Sequence, residues 1–107
     1  MEDILIKANE LGLLIKQTEA CRNFEELSAE IEKDDDASSL LKKYNEIAET
    51  IQKKHEAGDT VEKYEQEMFK ALTSAVTGNS LIVEYLKARD IYINLLMKIH
   101  NSISGNI

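Results

Sequence analysis

The side chains that invite chemistry in this 107-residue chain are Asp34, Asp35 and Asp36, the histidines His55 and His100, and the single cysteine Cys21. Zinc needs three or four His, Cys or carboxylate ligands converging on one point. His55 and His100 fall in different helical stretches, and the spacing offers no partners for either. A carboxylate-bridged metal inside a helical bundle uses an inward Glu-x-x-His motif on each of two helices. Gln52 and Met97 stand where those glutamates would have to be. A cysteine nucleophile needs a base to form its thiolate, and no histidine pairs with Cys21 in sequence, so a small, partly buried side chain is its default. The aspartate run lacks the alternating ligands and the glycine of a calcium loop. Consecutive aspartates suit a helix start better, one as the N-cap and the others facing the positive end of the helix dipole. The same dipole argument accounts for His55 near a helix C-terminus. No catalytic, cofactor-binding or metal-ligating residue is therefore assigned, and no cofactor is expected.

Composition points the same way. Proline is absent, there are only four glycines, and Glu, Lys, Leu, Ile and Ala dominate, which is the profile of helix formers. The length suits one domain with a modest core. A net charge of −7 repels phosphate, so direct nucleic-acid binding is not expected. Lys42-Lys43 and Lys53-Lys54 are too short to form a basic patch and read as solvated helix faces. Apolar runs such as Leu13 to Ile15 fall far short of the roughly 18 residues a membrane span needs. The Met-Glu-Asp start has no basic region followed by an apolar stretch, so no secretory signal is expected. One cysteine cannot form an internal disulfide, and the cytoplasm is the expected compartment.

The elements that would position these residues are helices. The first is expected over Glu2–Lys16, burying Ile4, Ala8, Leu11 and Ile15, with Leu5 and Gly12 beside them. Gly12 in mid-helix suggests close approach of another helix, with a hinge as the alternative. Thr18 can cap a second helix with Glu19 in its first turn, although the first helix could also run straight through. Phe24, Leu27 and Ile31 continue the apolar spacing, with Glu25, Glu26, Glu30 and Glu32 facing water. A third helix is expected from Ala37 to about Ala57 through Leu40, Tyr44, Ile47 and Ile51, widened by Leu41 and Ala48, and closed by Gly58 in the left-handed region. Asp59, three residues before Glu62, has the spacing of a capping box. It would open a fourth helix built on Val61, Tyr64, Met68, Ala71 and Ala75, with Phe69, Leu72 and Val76 alongside. Thr77-Gly78-Asn79 ends it, and Asn79 or Ser80 caps the helix that follows. The tail from Ser104 to Ile107 is expected to fray.

The last helix, Asn79 to Ile103, is the spine. Leu81, Tyr85, Ala88, Tyr92, Leu95 and Ile99 follow at alternating steps of four and three, which keeps them on one face. Ile82, Leu86, Ile93, Leu96 and Ile103 make a second row, interrupted by Arg89 and His100. A helix about 38 Å long at roughly 1.5 Å per residue, with so broad an apolar band, needs neighbours on more than one side. The candidate interface is Leu81, Tyr85, Ala88, Tyr92, Leu95, Leu96 and Ile99. Tyr85 and Tyr92 lead it, because a tyrosine buries a ring and keeps its hydroxyl at a wet edge. The fold expected is all-α: an elongated antiparallel bundle of four to five helices with a long C-terminal helix.

These residues resemble those of a known family. A short helix carrying Ala8, Leu11, Ile15 and Thr18 leads to the aromatic Phe24. Asp34 follows, then the Leu40-Leu41 helix ending at Ala57-Gly58. Last comes Asn79-Ser80-Leu81-Ile82-Val83-Glu84-Tyr85-Leu86-Lys87-Ala88, continuing to Leu95-Leu96 and Ile99. The pattern resembles the YlbF/YmcA family of small bacterial helical proteins over nearly the whole chain, as a single YlbF-like domain over residues 1–107. The resemblance implies a cytoplasmic regulatory protein that self-associates or joins relatives. Characterised members influence competence, sporulation and biofilm formation, and act with a YaaT-type partner on RNA processing by the endoribonuclease RNase Y. Some of those complexes carry iron–sulfur clusters held by cysteines in a C-terminal segment. This sequence departs there: it stops at Ile107 and its one cysteine is Cys21, so no cluster ligand carries over.

The function expected is that of a non-enzymatic regulatory or adaptor protein acting through helix contacts. Its expected partners are a second copy, in a homodimer or higher homo-oligomer, or related YlbF/YmcA-type or YaaT-type subunits. The alternatives are a purely structural homo-oligomer and a metal-binding or enzymatic bundle.

Overall fold

The computed structural model describes residues 1–105. It contains helices α1 (Glu2–Lys16), α2 (Glu19–Lys33), α3 (Asp35–Ala57), α4 (Lys63–Thr77) and α5 (Ser80–Gly105), and no strand among the described residues. The all-α expectation holds, with five helices and a long C-terminal one. Asn106 and Ile107, half of the tail expected to fray, lie outside the described residues, whereas Ser104 and Gly105 belong to α5. The chain divides into two compact units, one of residues Glu30–Glu84 and one of Met1–Ala29 with α5 from Tyr85 onward.

In the unit of residues 30–84, α3 starts two residues earlier than the apolar pattern indicated, because the aspartate run is its first turn. Asp34 has extended backbone, and its carboxylate accepts from the Ala37 N–H at 3.0 Å. Asp35 and Asp36 follow in the first turn, where negative charge meets the helix dipole. The helix ends in a Schellman motif. Gly58 takes φ 75°, its N–H donates to the His55 carbonyl at 3.2 Å, and the Asp59 N–H donates to the Lys54 carbonyl at 2.8 Å. That satisfies two of the last carbonyls of α3, those of Lys54 and His55.

This motif corrects the expected start of the fourth helix. Asp59 is engaged in closing α3, so it does not open α4. The residue before α4 is Glu62, and the carboxylate that reaches back to the Glu62 N–H, at 2.9 Å, belongs to Glu65. The capping box therefore exists three residues further on. Glu65 also corrects the face of α4. Tyr64 is 64% exposed and Met68 48% exposed, and Ala71 and Ala75 are exposed too. The neighbouring row, Glu65, Phe69, Leu72 and Val76, is the one turned inward. Phe69, Leu72 and Val76 offer more apolar bulk than a row ending in two alanines, so burying them removes more surface from water.

The α3 and α4 helices pack on each other. Tyr44 stacks on Phe69 with ring centroids 5.7 Å apart, and Lys54 Nζ lies 2.5 Å from Glu65 Oε1. Moving up α3 from Tyr44 to Lys54 thus moves down α4 from Phe69 to Glu65, so the two helices form an antiparallel hairpin. Ala37, Leu41, Ile47, Val76 and Ile82 supply the buried apolar groups of this unit together with Ile31. Of the two expected caps, Asn79 and Ser80, it is Asn79 that opens α5, its side chain accepting from the Ile82 N–H at 3.1 Å.

In the other unit, Thr18 settles the question of one helix or two. Its hydroxyl donates to the Ile15 carbonyl at 2.6 Å and accepts from the Cys21 N–H at 3.2 Å, closing α1 and capping α2 with one side chain. The bounds of α1 are those expected, but its burial is not: no residue of α1 is buried. Ile4 is 68% exposed, Ala8 is exposed, and Leu11 and Ile15 are only partly covered. Gly12 has no atom within 4 Å of where a Cβ would stand, so no close helix contact among the described residues explains it.

Two outcomes test this hairpin. Gly58→Ala meets open space but must hold a left-handed backbone, so it should lower stability by about 1–2 kcal/mol, read as a lower urea midpoint with an unchanged slope. The Lys54–Glu65 pair should make stability depend on pH at both ends. The hydrogen bond from the Lys54 ammonium, then that from the Glu62 N–H, holds the Glu65 carboxyl below its ordinary 4.5, although burial works to raise it. Its contribution is complete above 4.5 and is lost as pH falls through the lowered value. Lys54 is held above its ordinary 10.5, chiefly by the hydrogen bond to Glu65, so its contribution is complete below 10.5 and is lost as pH rises beyond it. Melting temperatures recorded across pH should show Glu65→Gln flattening the acid-side loss relative to the parent.

Candidate functional site

The chemistry-bearing residues do not assemble into a reactive centre. Cys21 is 2% exposed. Its thiol donates to Glu25 Oε1 at 3.6 Å, and it hydrogen-bonds with Tyr92. That bond, with burial second, pushes the Tyr92 phenol above its ordinary 10.0. Neither of these neighbours, a carboxylate and a phenol, carries the positive charge that favours a reactive thiolate. His55 lies in the last turn of α3, as the dipole argument anticipated, and His100 is exposed on α5 with the Ser104 hydroxyl 3.5 Å away. Among the described residues no group of three or more His, Cys, Asp or Glu side chains could hold a metal ion. An open depression of about 480 Å³ between α3 and α4 is lined by Ile47, Met68 and Leu72 with Lys43, Glu46 and Thr50 at its edge. It lacks the convergent polar groups that orient a small ligand.

The structure presents helix surface instead. Tyr85 and Tyr92, the foremost interface candidates, both stack on Phe24 of α2, with centroids 5.6 Å and 5.3 Å away. Ala88, between them on the same face, is 2% exposed. This stretch of the first row of α5 thus serves the chain's own packing. Leu95, Leu96 and Ile99 are partly covered. Leu81 is also partly covered and lies in the first turn of α5, within the unit of residues 30–84.

The apolar residues left outward on α5 are others: Ile91 at 58%, Ile93 at 43%, Met97 at 56% and Ile103 at 48% exposure. Ile93 and Met97 are four apart and so share one face. Ile91 sits beside Ala20 and Asn23 of α2 at a shallow surface hollow. Arg89, on the second row, has its Nε buried without a hydrogen-bond partner, while its outer nitrogen lies 3.6 Å from Asp90 Oδ1. Sequence reasoning missed Ile91 and Met97 because both fall off the two rows that periodicity selected. The signal that could have found them is the width of the apolar band, which exceeds what α2 and one aromatic ring can cover. The exposed apolar residues of α1, Ile6, Leu13 and Leu14 among them, carried a similar signal, since they lie off the stripe that the helix was expected to bury.

Among the described residues no helix is long and apolar enough to cross a membrane. A chain in the crystal structure of Bacillus subtilis RicA in complex with RicF has a similar fold, with a TM-score of 0.72 and 15% sequence identity over 95% of this chain and 90% of that one. No curated protein sequence matches this chain significantly. A family model described as "Control of competence regulator ComK, YlbF/YmcA" matches residues 4–107. With nearly every described residue inside that match, the protein belongs to the YlbF/YmcA family.

Proposed function

We propose that this protein is a non-enzymatic adaptor or regulatory subunit of the bacterial cytoplasm. It works by seating apolar helix surface against YlbF/YmcA-type or YaaT-type subunits, and through them bears on RNA processing and so on competence, sporulation and biofilm formation. The observation that carries this reading is the outward apolar face of α5, Ile93 and Met97, with the partly covered Leu96 beside it. Side chains of this kind contribute about 1.5–3 kcal/mol each when a partner removes them from water. Charged groups at the edge, Arg89 and Asp90, select the partner rather than supply the affinity. The pairing with relatives is supported by RicA, a protein of similar fold, which is held in complex with RicF.

Co-expression with the YlbF/YmcA-type and YaaT-type subunits of the same organism tests it. The complex should purify intact, and Ile93→Asp combined with Met97→Asp should weaken it by at least about tenfold while leaving the melting temperature of the isolated chain near that of the parent. Deleting the gene should shift RNA 5′ ends. Undiminished capture by the double variant, or unchanged RNA ends, would refute the corresponding half of the reading.

A further inference from the structure

We propose that the partner seated on α5 presents a carboxylate to Arg89, its contact segment being a helix with an Asp or Glu one turn away from aliphatic residues. This rests on the reading of α5 as a partner face, and names the chemistry that the face selects.

The first observation is an orphaned donor. The Nε–H of Arg89 is buried and has no hydrogen-bond partner among the described residues. A buried N–H without an acceptor forfeits the hydrogen bond that water gave it. The rest of the guanidinium reaches the surface, the side chain being 41% exposed. The anion beside it is poorly placed. Asp90 is the next residue in the chain, and its Oδ1 stands 3.6 Å from Nη2, too far for a hydrogen bond. Adjacent residues point about 100° apart around a helix, so Asp90 cannot turn both of its oxygens onto the guanidinium. Arg89 is thus a cation stripped of water along one edge and matched along neither.

The second observation identifies the occupant. Leu86, Arg89, Ile93, Leu96 and Met97 stand three or four residues apart in turn and share one face of α5. Ile93 and Met97 turn outward, and Leu86 and Leu96 are partly covered. A partner that covers Ile93 therefore also takes Arg89, one turn away, further out of water. Removing the remaining water from a cation is costly unless an anion replaces it. The planar guanidinium offers Nε and an outer nitrogen as two parallel donors, the fork that a carboxylate accepts bidentately. Turning the side chain toward the partner brings Nε out with it, so the complex satisfies a donor that the free chain leaves unpaired. The apolar neighbours favour a protein helix over the phosphates of RNA. A phosphate backbone gives Ile93 and Met97 nothing aliphatic to pack on, and it meets a chain of net charge −7. The aliphatic contacts supply most of the affinity. The carboxylate decides between partners, because specificity is a difference of affinities.

The dissociation constant of the full chain with the co-expressed YlbF/YmcA-type or YaaT-type subunit it captures reads the outcome. Arg89→Gln and Arg89→Lys should each raise it by at least about tenfold, the second because an ammonium keeps the charge and loses the fork. The melting temperature of the isolated variants should not fall, since removing an unpaired donor costs the free chain no hydrogen bond. Arg89→Glu should abolish capture, and changing one Asp or Glu of the partner to Arg should restore it. In NMR spectra of the unaltered chain the Arg89 Nε–H signal should move downfield when the complex forms, which reads the same contact without a substitution. Arg89→Lys binding as tightly as the parent, no partner substitution rescuing Arg89→Glu, or an Nε–H signal unchanged in the complex would overturn the proposal. So would a short single-stranded RNA that binds the parent and loses affinity in Arg89→Gln while the protein complex is unaffected. If Ile93→Asp with Met97→Asp breaks the complex and the Arg89 variants do not, the carboxylate is excluded and α5 stands as the partner face. A parent that captures no such subunit overturns both.

Discussion

A carboxylate taken out of water must be met at close range by positive charge and N–H groups, and Glu65 meets that requirement with two partners. Lys54 supplies the charge from the last turn of α3, and the Glu62 N–H supplies the second hydrogen bond. Much of the unit of residues 30–84 follows from this one group. It sets where α4 begins, because the residue reaching back to cap the helix is Glu65. It shares the inward face of α4 with Phe69, Leu72 and Val76, whose burial drives that rotation and which stand at helical spacing from it. It also joins the two ends of the α3–α4 connection, since the same Lys54 offers its carbonyl to the Asp59 N–H and its ammonium to Glu65.

In the unit built from α1, the first part of α2 and α5 from Tyr85, aromatic packing takes that place. Phe24 lies against two tyrosines seven residues apart, a geometry in which stacked rings add about 0.5–1.5 kcal/mol beyond the area they bury. Cys21, one turn before Phe24, hydrogen-bonds with Tyr92 and Glu25, so the cysteine belongs to the packing of α2 on α5. What this arrangement leaves uncovered is as informative as what it buries. The α1 helix and the outward side of α5 keep large aliphatic groups in water, and contiguous exposed apolar surface marks sites of association. The family to which the chain belongs is one of control of the competence regulator ComK.

The places where sequence reasoning succeeded and failed have a common cause. Helix ends marked by one residue's own chemistry were the most legible: Gly58 closes α3 as its type and position indicated, and the structure selects Thr18, Asp34 from the aspartate run and Asn79 from the caps left open. Faces were harder to read. On α4, counting apolar positions favoured the row of Tyr64, Met68, Ala71 and Ala75 over the adjacent row, which begins with the glutamate Glu65. Only the nearness of Lys54 makes that glutamate acceptable inside. On α5, Tyr85 and Tyr92 looked like interface residues because nothing in one dimension shows that Phe24 reaches both.

The sequence by itself determined the all-α class, the family resemblance, the bounds of α1 and most of the caps, because these depend on propensity, spacing and side chains acting on backbone a few residues away. The tertiary structure alone decided which row of each helix is covered. That choice is made by pairs distant in sequence, Lys54 with Glu65, Tyr44 with Phe69 and Phe24 with Tyr92, and the periodicity of a single helix is satisfied equally by either of two neighbouring apolar rows.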